Sequence, residues 1–462
     1  MDAPECPGCR ERDARIAELE RRLAALEARL GTNSSNSSLP PSANPLGAKK
    51  PVAKRKKSKR NRGGQPGHEP RLKQLVPPAR VDHVEEIVPK TCDACQAPLH
   101  EKQRPTDPEP TRFQVIELPQ IVAEITEHQG HARTCSCGVV TRAVIPQEIR
   151  AHSVGPRLAA TLSYFTGCHG MSKRGVEEIA DHVFDAPVAL GTVANLEKEV
   201  SAALAAPHQE ALEAVRAAQV KHADETSWKL AGKLCWLWAA AMTGVVAFVI
   251  HAKRSALGLV ALLGDNISGI LCSDRWSVYE RLPPERRQIC WAHLKRDFQK
   301  IIDRGGASAP LGRAGQRLIK KVFAAWHAFQ DGQLTREQLK EKLDPVVHQM
   351  NRLLVQGWLG DDPTVTTFCA NLLKLESALW MFVTTEGVEP TNNFIERLLR
   401  RGVLWRKRSF GCSSDDGCRF VERILTVVQT CRLQTKNALD FLHQALLAHR
   451  TGQVSASLLE NR

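Results

Sequence analysis

The stretch AQVKHADETSWKLAGKLCWLWAAAMTGVVAFVIHAK, residues 218–253, contains three apolar, β-prone segments separated by the short turns AGK and TG. Short turns that contain glycine join neighbouring antiparallel strands. The stretch therefore predicts a three-stranded meander with Asp224 on its first strand. The order of the segments that follow the meander decides the fold class.

Those segments alternate between helices and strands. A helix is predicted over residues 255–263, followed by the apolar strand of GILCSDRWSVY, which ends in Asp274. A short strand then runs into a helix in RQICWAHLKRDF, and residues 303–385 are almost entirely helical in pattern. Three antiparallel strands followed by alternating helices and strands form the element order of ribonuclease-H-like nucleases. We therefore predict a multidomain α/β protein with a ribonuclease-H-like catalytic core.

Glu396 lies in EPTNNFIERLLRRGVLWRKRSFG, residues 389–411, where five arginines and a lysine surround it. On a helix with about 100° per residue, Phe394, Ile395, Leu398 and Leu399 share one side and Glu396 lies on the opposite, polar side. A generic solvated helix shows the same division. This pattern alone therefore does not define a site.

Asp224, Asp274 and Glu396 together suit one kind of chemistry. Phosphoryl transfer places charge on the attacking, leaving and non-bridging oxygens, and two divalent cations about 4 Å apart stabilise that charge. Magnesium prefers oxygen ligands, which carboxylates from separate elements supply. Glu225 faces the opposite side of a regular strand from Asp224, so only one of the two can face the metal ions, and we choose Asp224.

The first 75 residues carry two features of an assembly that binds DNA. Ile16, Leu19, Leu23, Leu26 and Leu30 recur at steps of three and four, as in a coiled-coil seam, although an amphipathic helix packed on its own domain shows the same spacing. A Ser/Asn/Pro-rich linker follows and leads into KKPVAKRKKSKRNRGGQPGH, which contains no acidic residue. The 462-residue chain has a net charge of +14, and this basic arm predicts electrostatic binding to DNA phosphates, with a solvated tail as the alternative.

Two cysteine pairs indicate a structural zinc site. Cys92 and Cys95 form a C-x-x-C pair, and Cys135 and Cys137 form a tighter C-x-C pair. The segment between them alternates like two strands that would bring the pairs together. The alternative is that these are unligated core cysteines. His128 and His131 are further candidate ligands that could replace one thiolate.

Residues 152–205 predict helices on both sides of the Gly-containing turn DAPVALG. Two helices around such a turn resemble a helix-turn-helix, which places its second helix in the major groove of DNA. An ordinary helical hairpin fits the pattern equally well. No run of about 18 apolar residues occurs, so we expect no membrane association and a cytoplasmic, nucleoid-associated protein in a bacterium.

Several motifs, in order along the chain, resemble the transposases of the insertion-sequence sixty-six family. They are HADETSW around Asp224, CSDRWSVY around Asp274, CWAHLKRDF at 290–298 and NNFIER around Glu396, together with the NSSNSS linker, RGGQPGH and the cysteine pairs. The resemblance covers nearly the whole chain. One departure is Thr391, where the family pattern leads us to expect an aspartate.

The resemblance implies a DDE transposase whose core is interrupted by a helical insertion before its final helix. It also implies that Asp224, Asp274 and Glu396 are the catalytic, magnesium-binding carboxylates, with two Mg²⁺ ions for which Mn²⁺ can substitute. The predicted domains are a coiled-coil helix at 1–31, a disordered basic linker at 32–75, a zinc-ribbon-like module at 76–150, a helix-turn-helix-like region at 151–212, the first part of the core at 213–302, the insertion at 303–388, and the final catalytic helix with C-terminal helices at 389–450.

The predicted partner is double-stranded DNA, both the element ends and the target. We expect a homodimer or higher oligomer on DNA, and the resemblance makes accessory proteins of the same element plausible. His293 and Trp291 are candidates to contact the scissile strand, with a helix-start and a core position as the alternatives. The residues predicted to bind phosphates are Lys54, Arg55, Lys56, Lys57, Arg60, Arg62, Lys295, Arg296, Arg397, Arg400, Arg401, Arg406, Lys407 and Arg408.

Two other functions fit parts of the sequence. A catalytically silent DNA-binding regulator of transposon ends would use the basic arm, the zinc module and the coiled coil equally well. A structure-specific nuclease would share the catalytic core but would not join strands.

Overall fold

A computed structural model describes residues 15–20, 22–23, 75–100, 104–105 and 107–459 of the protein. The chain divides into two compact units, a smaller one over Pro51–Ile121 and a larger one that comprises Met1–Lys50 and Val122–Arg462. Within the larger unit, residues 15–20 and 22–23 are helical, and Ile16, Leu19 and Leu23 are exposed there. Leu26 and Leu30, the remaining positions of the predicted seam, lie outside the described residues.

The described part of the smaller unit is mostly irregular. Val76 is held by Gln114, whose side chain accepts from the Val76 N–H at 2.7 Å and donates to its carbonyl at 3.0 Å. The prediction of two strands over residues 109–134, between the cysteine pairs, is wrong, because only the last three of these residues form a strand. Phe113 and Val115 are 88% and 81% exposed, so the alternating pattern there has no core to face. That strand, β1 (Ala132–Thr134), pairs antiparallel with β2 (Val140–Arg142), which follows the second cysteine pair.

A five-stranded mixed sheet forms the centre of the larger unit. The strands lie in the spatial order β5-β4-β3-β6-β7, with β3, β4 and β5 antiparallel and β6 and β7 parallel to β3. The predicted meander is therefore confirmed. The strands are β3 (Val220–Leu230), β4 (Lys233–Met242), β5 (Val245–His251), β6 (Ile270–Ser273) and β7 (Arg287–Ile289).

The first hairpin has a tight two-residue turn. Ala231 and Gly232 both have positive φ, 47° and 78°, as a type I′ turn requires. Ala231 also donates its N–H to the carbonyl of Cys412, and Cys412 donates to Lys229 at 2.8 Å. The chain near residue 412 therefore pairs with the end of β3.

Fourteen α-helices lie between residues 147 and 451. They are α1 (Gln147–Arg150), α2 (Pro156–His169), α3 (Lys173–His182), α4 (Leu190–Ala203), α5 (Ala205–Ala217), α6 (Ala256–Leu263), α7 (Trp291–Arg304), α8 (Ala309–Gln330), α9 (Arg336–Trp358), α10 (Pro363–Lys374), α11 (Glu376–Thr384), α12 (Asn393–Ser409), α13 (Asp415–Leu433) and α14 (Ala438–Thr451).

The two faces of the sheet are buried in different clusters. Trp228 of β3 and Ala239 of β4 pack with Ile395 and Leu399 of α12 on one face. Ala223 and Trp238 lie in the other cluster with α6 and the helices α2 to α5. Because successive side chains of a strand alternate between faces, the even-numbered residues of β3 face α12. This alternation decides which acidic residues can meet.

The helical region before the sheet contains the two helices predicted around a turn. α4 is largely buried, since Val193, Leu196 and Val200 belong to the main core. Glu197 on α4 accepts from Lys173 at 2.6 Å. The helices α3 and α4 lie where the helical hairpin was predicted. The role of this hairpin as a DNA-binding helix-turn-helix stays a prediction.

The long helical segment after α7 has its own core. Leu339, Leu343 and Met350 of α9 pack with Trp326 of α8. Buried polar groups attach this segment to the sheet: the Trp291 Nε1–H and the Gln288 amide donate to the carbonyl of Leu379, at 2.8 and 3.2 Å. The predicted helical character of residues 303–385 is confirmed.

Candidate functional site

Asp224 and Asp274 lie at corresponding positions of two neighbouring parallel strands. β3 and β6 pair with His222 opposite Cys272, so the same register places Asp274, just beyond the end of β6, beside Asp224. The Asp274 side chain is held by the backbone two residues later, because its Oδ1 accepts from the Trp276 N–H at 2.9 Å. The carboxyl end of a parallel strand pair therefore carries two acids side by side.

Glu396 approaches the same edge from above the sheet. It lies in the first turn of α12, on the face of the sheet that Asp224 shares. Burial raises the pKa of Asp224 well above its usual value, and the nearby carboxylates of Glu225, Asp274 and Glu396 raise it further. Three carboxylates therefore lie close enough to Asp224 to disfavour its charged form.

Glu225 occupies the other face of the sheet. Its carboxylate accepts from Arg254 at 2.6 Å and from the Tyr279 hydroxyl at 2.9 Å, and its side chain is 2% exposed. Arg254 also stacks over Trp276, with its guanidinium carbon 4.2 Å from the ring centroid. Glu225 is therefore occupied by a buried ion pair on the face of the sheet opposite Asp224.

Glu396 has an oxygen without a hydrogen-bond partner. Oε1 is buried and accepts no hydrogen bond, and the buried Nδ1 of His293 lies 3.6 Å from it, also without one. Buried polar atoms are nearly always paired, so two that face each other point to a missing partner between them. A cation is the partner that a carboxylate oxygen and an imidazole nitrogen both accept.

A second group of metal-binding side chains overlaps this position. Within the part of the chain that the structure describes, Cys290, His293 and Glu396 have ligand atoms that all lie within 4.8 Å of one another. Cys290 immediately precedes α7, and His293 lies in its first turn. Sequence reasoning named His293 but missed Cys290, although the C-x-x-H spacing in CWAHLKRDF was a signal for it.

Trp291 belongs to the core. Its side chain is fully buried among the insertion residues, with the Trp380 ring centroid 4.8 Å away. The candidate role of Trp291 in contacting a DNA strand is therefore not supported by its position, whereas the His293 side chain is 26% exposed.

Asn392 and His222 were also missed by sequence reasoning. Asn392 is 1% exposed and comes just before α12. Its Nδ2 donates to the carbonyl of Ala223 at 2.8 Å, its Oδ1 accepts from His222 Nδ1 at 3.0 Å, and its backbone N–H donates to the Cys290 sulfur at 3.2 Å. Its carbonyl accepts from the Glu396 N–H at 3.2 Å. This one residue therefore joins the start of α12 to β3 and to the start of α7.

The basic residues predicted to bind phosphates have different environments. Lys295, Arg397, Arg400, Arg401, Lys407 and Arg408 are exposed, and Arg296 is partly exposed. Arg406 is partly buried and donates to Thr226 and to both the carbonyl and the hydroxyl of Ser227, so it holds α12 against β3. Arg408 donates to the carbonyl of His169 at 2.6 Å. Lys54, Arg55, Lys56, Lys57, Arg60 and Arg62 lie outside the described residues.

Each cysteine pair forms a tight turn in its own unit. The N–H of Gln96 donates to the carbonyl of Cys92, and the N–H of Gly138 donates to that of Cys135, both at 2.9 Å. The backbone N–H of Cys95 lowers the pKa of Cys92, and that of Cys137 lowers the pKa of Cys135. N–H groups directed at a sulfur favour the thiolate, which is the form that binds metal. A zinc site formed by the two pairs stays a prediction.

Among the described residues, no helix has both the length and the apolar character that crossing a membrane requires.

Comparison with known proteins shows the family of the chain. The family model described as Transposase IS66 family matches residues 152–419, and a family of unknown function, DUF6444, matches residues 10–74. The uncharacterized protein y4qI of Sinorhizobium fredii is 27% identical over 51% of this chain and 48% of its own length. A second uncharacterized protein of that organism, y4jD, is 21% identical over 49% of this chain and 48% of its own length. The chain thus spans about half the length of the curated relatives that it matches. Because the matched family model covers more than half of the chain, including all three candidate carboxylates, the protein belongs to the IS66 family of transposases.

Proposed function

We propose that the protein is a DNA transposase that cleaves the ends of its element and joins the freed strands to target DNA. Asp224, Asp274 and Glu396 are its catalytic carboxylates, on a ribonuclease-H-like core with a helical insertion at 303–388. The observation that carries the proposal is the register of β3 and β6, which places Asp224 beside Asp274, together with the repulsion that Asp224 receives from Glu396. Such repulsion is costly unless cations bind there.

The donor set fits magnesium. Three carboxylates offer only hard oxygen ligands, and one of their oxygens, Glu396 Oε1, is buried without a partner. Two bound Mg²⁺ ions, or Mn²⁺ ions in their place, would stabilise the charge on the attacking and leaving oxygens of the phosphodiester.

The protein's own residues hold the reacting groups in place. Asp224 lies on a central strand, and the Trp276 N–H fixes Asp274. Water attacks a phosphodiester at the element end and frees a 3′-hydroxyl, which then attacks target DNA in line. No covalent protein–DNA intermediate is needed.

The exposed basic residues beside the carboxylates support a DNA-binding surface. Lys295 and Arg296 follow His293 on α7, and Arg397, Arg400 and Arg401 flank Glu396 on α12. Their side chains would bind phosphates on both sides of the scissile bond. The basic arm at 49–62 would add affinity that depends on salt rather than on sequence.

The remaining predicted features serve assembly. The four cysteines Cys92, Cys95, Cys135 and Cys137 would bind one structural Zn²⁺ and make the N-terminal module rigid. The seam at 16–30 would join two copies on paired element ends, and accessory proteins of the same element would complete the complex.

The test is a cleavage and strand-joining assay with Mg²⁺ on DNA that carries the element ends. We expect Asp224→Asn, Asp274→Asn and Glu396→Gln each to abolish both products. Glu386→Gln is the matched control, because Glu386 is an exposed acid shortly before α12, the helix that carries Glu396. Activity retained in any one of the three variants would remove that residue from the assignment. DNA binding without products from the wild type would favour the regulator, and nicking without joining would favour the nuclease.

A further inference from the structure

The group formed by Cys290, His293 and Glu396 has a chemistry different from that of the three carboxylates. Two helices begin at this place: Cys290 precedes α7, His293 lies in the first turn of α7, and Glu396 lies in the first turn of α12. Residues three apart at the start of a helix lie on one side of it, so the sulfur and the imidazole face Glu396 together. Their ligand atoms all lie within 4.8 Å of one another.

The polar atoms of this group lack the partners that a purely structural role would provide. His293 Nδ1 and Glu396 Oε1 are both buried, neither has a hydrogen bond, and they lie 3.6 Å apart. A hydrogen bond at that distance is too long to pair them. A metal ion between them would satisfy both atoms.

Backbone N–H groups at the start of α7 and before α12 are directed at the sulfur of Cys290. The Asn392 N–H donates to it at 3.2 Å, and the backbone N–H groups of His293 and Ala292 also point at it. N–H groups at the start of a helix stabilise a thiolate. Burial opposes them and raises the pKa of Cys290 to about 11, so without an ion the residue is a thiol.

The ligand set identifies the class of ion. Sulfur, imidazole nitrogen and carboxylate oxygen are the ligands of Zn²⁺ and similar transition metals, whereas Mg²⁺ takes oxygen ligands. Three protein ligands leave the fourth position of a tetrahedral site to water or to a substrate oxygen. We propose that Cys290, His293 and Glu396 form a binding site for a thiophilic divalent cation, with Zn²⁺ as the ion that fits best.

This site would regulate the enzyme because it uses Glu396. When Zn²⁺ binds, Cys290 releases its proton to solvent and the sulfur–zinc bond forms, with no change of oxidation state. Glu396 is then withdrawn from the pair of Mg²⁺ ions. Micromolar zinc is therefore expected to inhibit cleavage, a consequence that rests on the proposed function, whereas the binding itself does not.

The test of the site measures binding rather than activity. The metal-free full-length chain, without DNA, is titrated with Co²⁺, whose sulfur-to-metal charge-transfer absorption reports thiolate ligands. We expect the wild type to bind one equivalent more than Cys290→Ser and one more than His293→Gln. Cys369→Ser is the matched control, because Cys369 is a buried thiol in α10 outside this group, and it should bind as many ions as the wild type.

Two further variants keep the result unambiguous. Cys92→Ser tests the predicted four-cysteine site, and the double variant Cys92→Ser with Cys290→Ser should lose two equivalents if the sites are separate. His293 is partly exposed, so His293→Gln gives an answer even where Cys290→Ser fails to fold, as judged by its melting curve. Equal stoichiometry in the wild type, Cys290→Ser and His293→Gln overturns the proposal.

A second measurement addresses inhibition. Zn²⁺ added to the Mg²⁺ cleavage reaction should lower the rate by about tenfold or more, as withdrawal of one of three metal-binding carboxylates implies. An unchanged rate would refute the inhibitory role. Because the stoichiometry is measured without DNA, the site and the transposase function can fail independently.

Discussion

Asn392→Ala should loosen the start of α12 from β3. The side chain of Asn392 is 1% exposed and makes two hydrogen bonds, to the Ala223 carbonyl at 2.8 Å and to His222 Nδ1 at 3.0 Å. Alanine leaves both β3 groups buried and unpaired. A buried polar group left unsatisfied costs about 1–3 kcal/mol, so the two together cost about 2–6 kcal/mol.

Native-state hydrogen exchange of peptides that cover β3 measures this loss directly. Even the lower value, about 2 kcal/mol, corresponds to roughly a 30-fold increase in the opening equilibrium and in the exchange rate. Asn393→Ala is the matched control, because Asn393 is the next residue, has the same side chain and is exposed. Its effect should stay within about 0.5 kcal/mol. If the two variants exchange at the same rate over β3, Asn392 does not hold α12 to the sheet.

Three further predictions concern stability. Burial lowers the pKa of His222 from 6.5 to about 4, so between these pH values the unfolded chain binds a proton that the folded protein does not. The free energy of unfolding therefore falls as the pH decreases from 6.5 towards 4, by about 2 kcal/mol at pH 5. Urea titrations should show a flatter pH profile for His222→Gln. Burial and neighbouring carboxylates raise the pKa of Asp224 in the folded protein. The raised pKa stabilises the folded state below the unfolded-state pKa of Asp224, and this stabilisation is lost as the pH rises through the folded-state pKa. At neutral pH, Asp224→Asn should therefore raise the melting temperature in metal-free buffer and reduce the gain on adding Mg²⁺, and a lower melting temperature would contradict this. Gly258→Ala should destabilise by about 1–3 kcal/mol, because its Cβ would lie 2.5 Å from the Trp238 ring, whereas Gly191→Ala, with no atom near its Cβ, should be neutral or stabilising by thermal melting.

The sheet was predictable because its signals are local. Apolar segments broken by AGK and TG identify the hairpins without knowledge of distant residues, and the structure confirms them. The segment at 108–131 shows the limit of the same reasoning. Its alternation is as regular, but a strand needs a partner to pair with, and the sequence does not show whether one is available.

The candidate site was only partly predictable. Asp224 and Asp274 follow from strand order, whereas Glu396 on its helical pattern alone was indistinguishable from a solvated acid. It was chosen because it completes a set of three carboxylates, a choice that the family resemblance also implies. His222 and Asn392 are 170 residues apart along the chain, and no periodicity relates them. Arg406 has the same local pattern as its basic neighbours, yet it is bonded to β3 rather than directed at solvent. Contacts between distant segments decide these roles.

The helical segment at 303–385 contacts the residues that place Glu396, although it contains none of the three candidate carboxylates. The chain leaves the sheet at β7 and α7 and returns to it just before α12. At both points the contacts involve the same short segment, residues 288–291. The Gln288 and Trp291 side chains donate to the insertion at the Leu379 carbonyl, and the Trp291 N–H donates to the carbonyl of Pro390 at 2.8 Å. The Cys290 sulfur accepts from Asn392, whose carbonyl binds the Glu396 N–H. Since one short segment carries all these contacts, we expect a change in how residues 303–385 dock on it to shift Glu396 relative to Asp224 without altering any of the three candidate carboxylates.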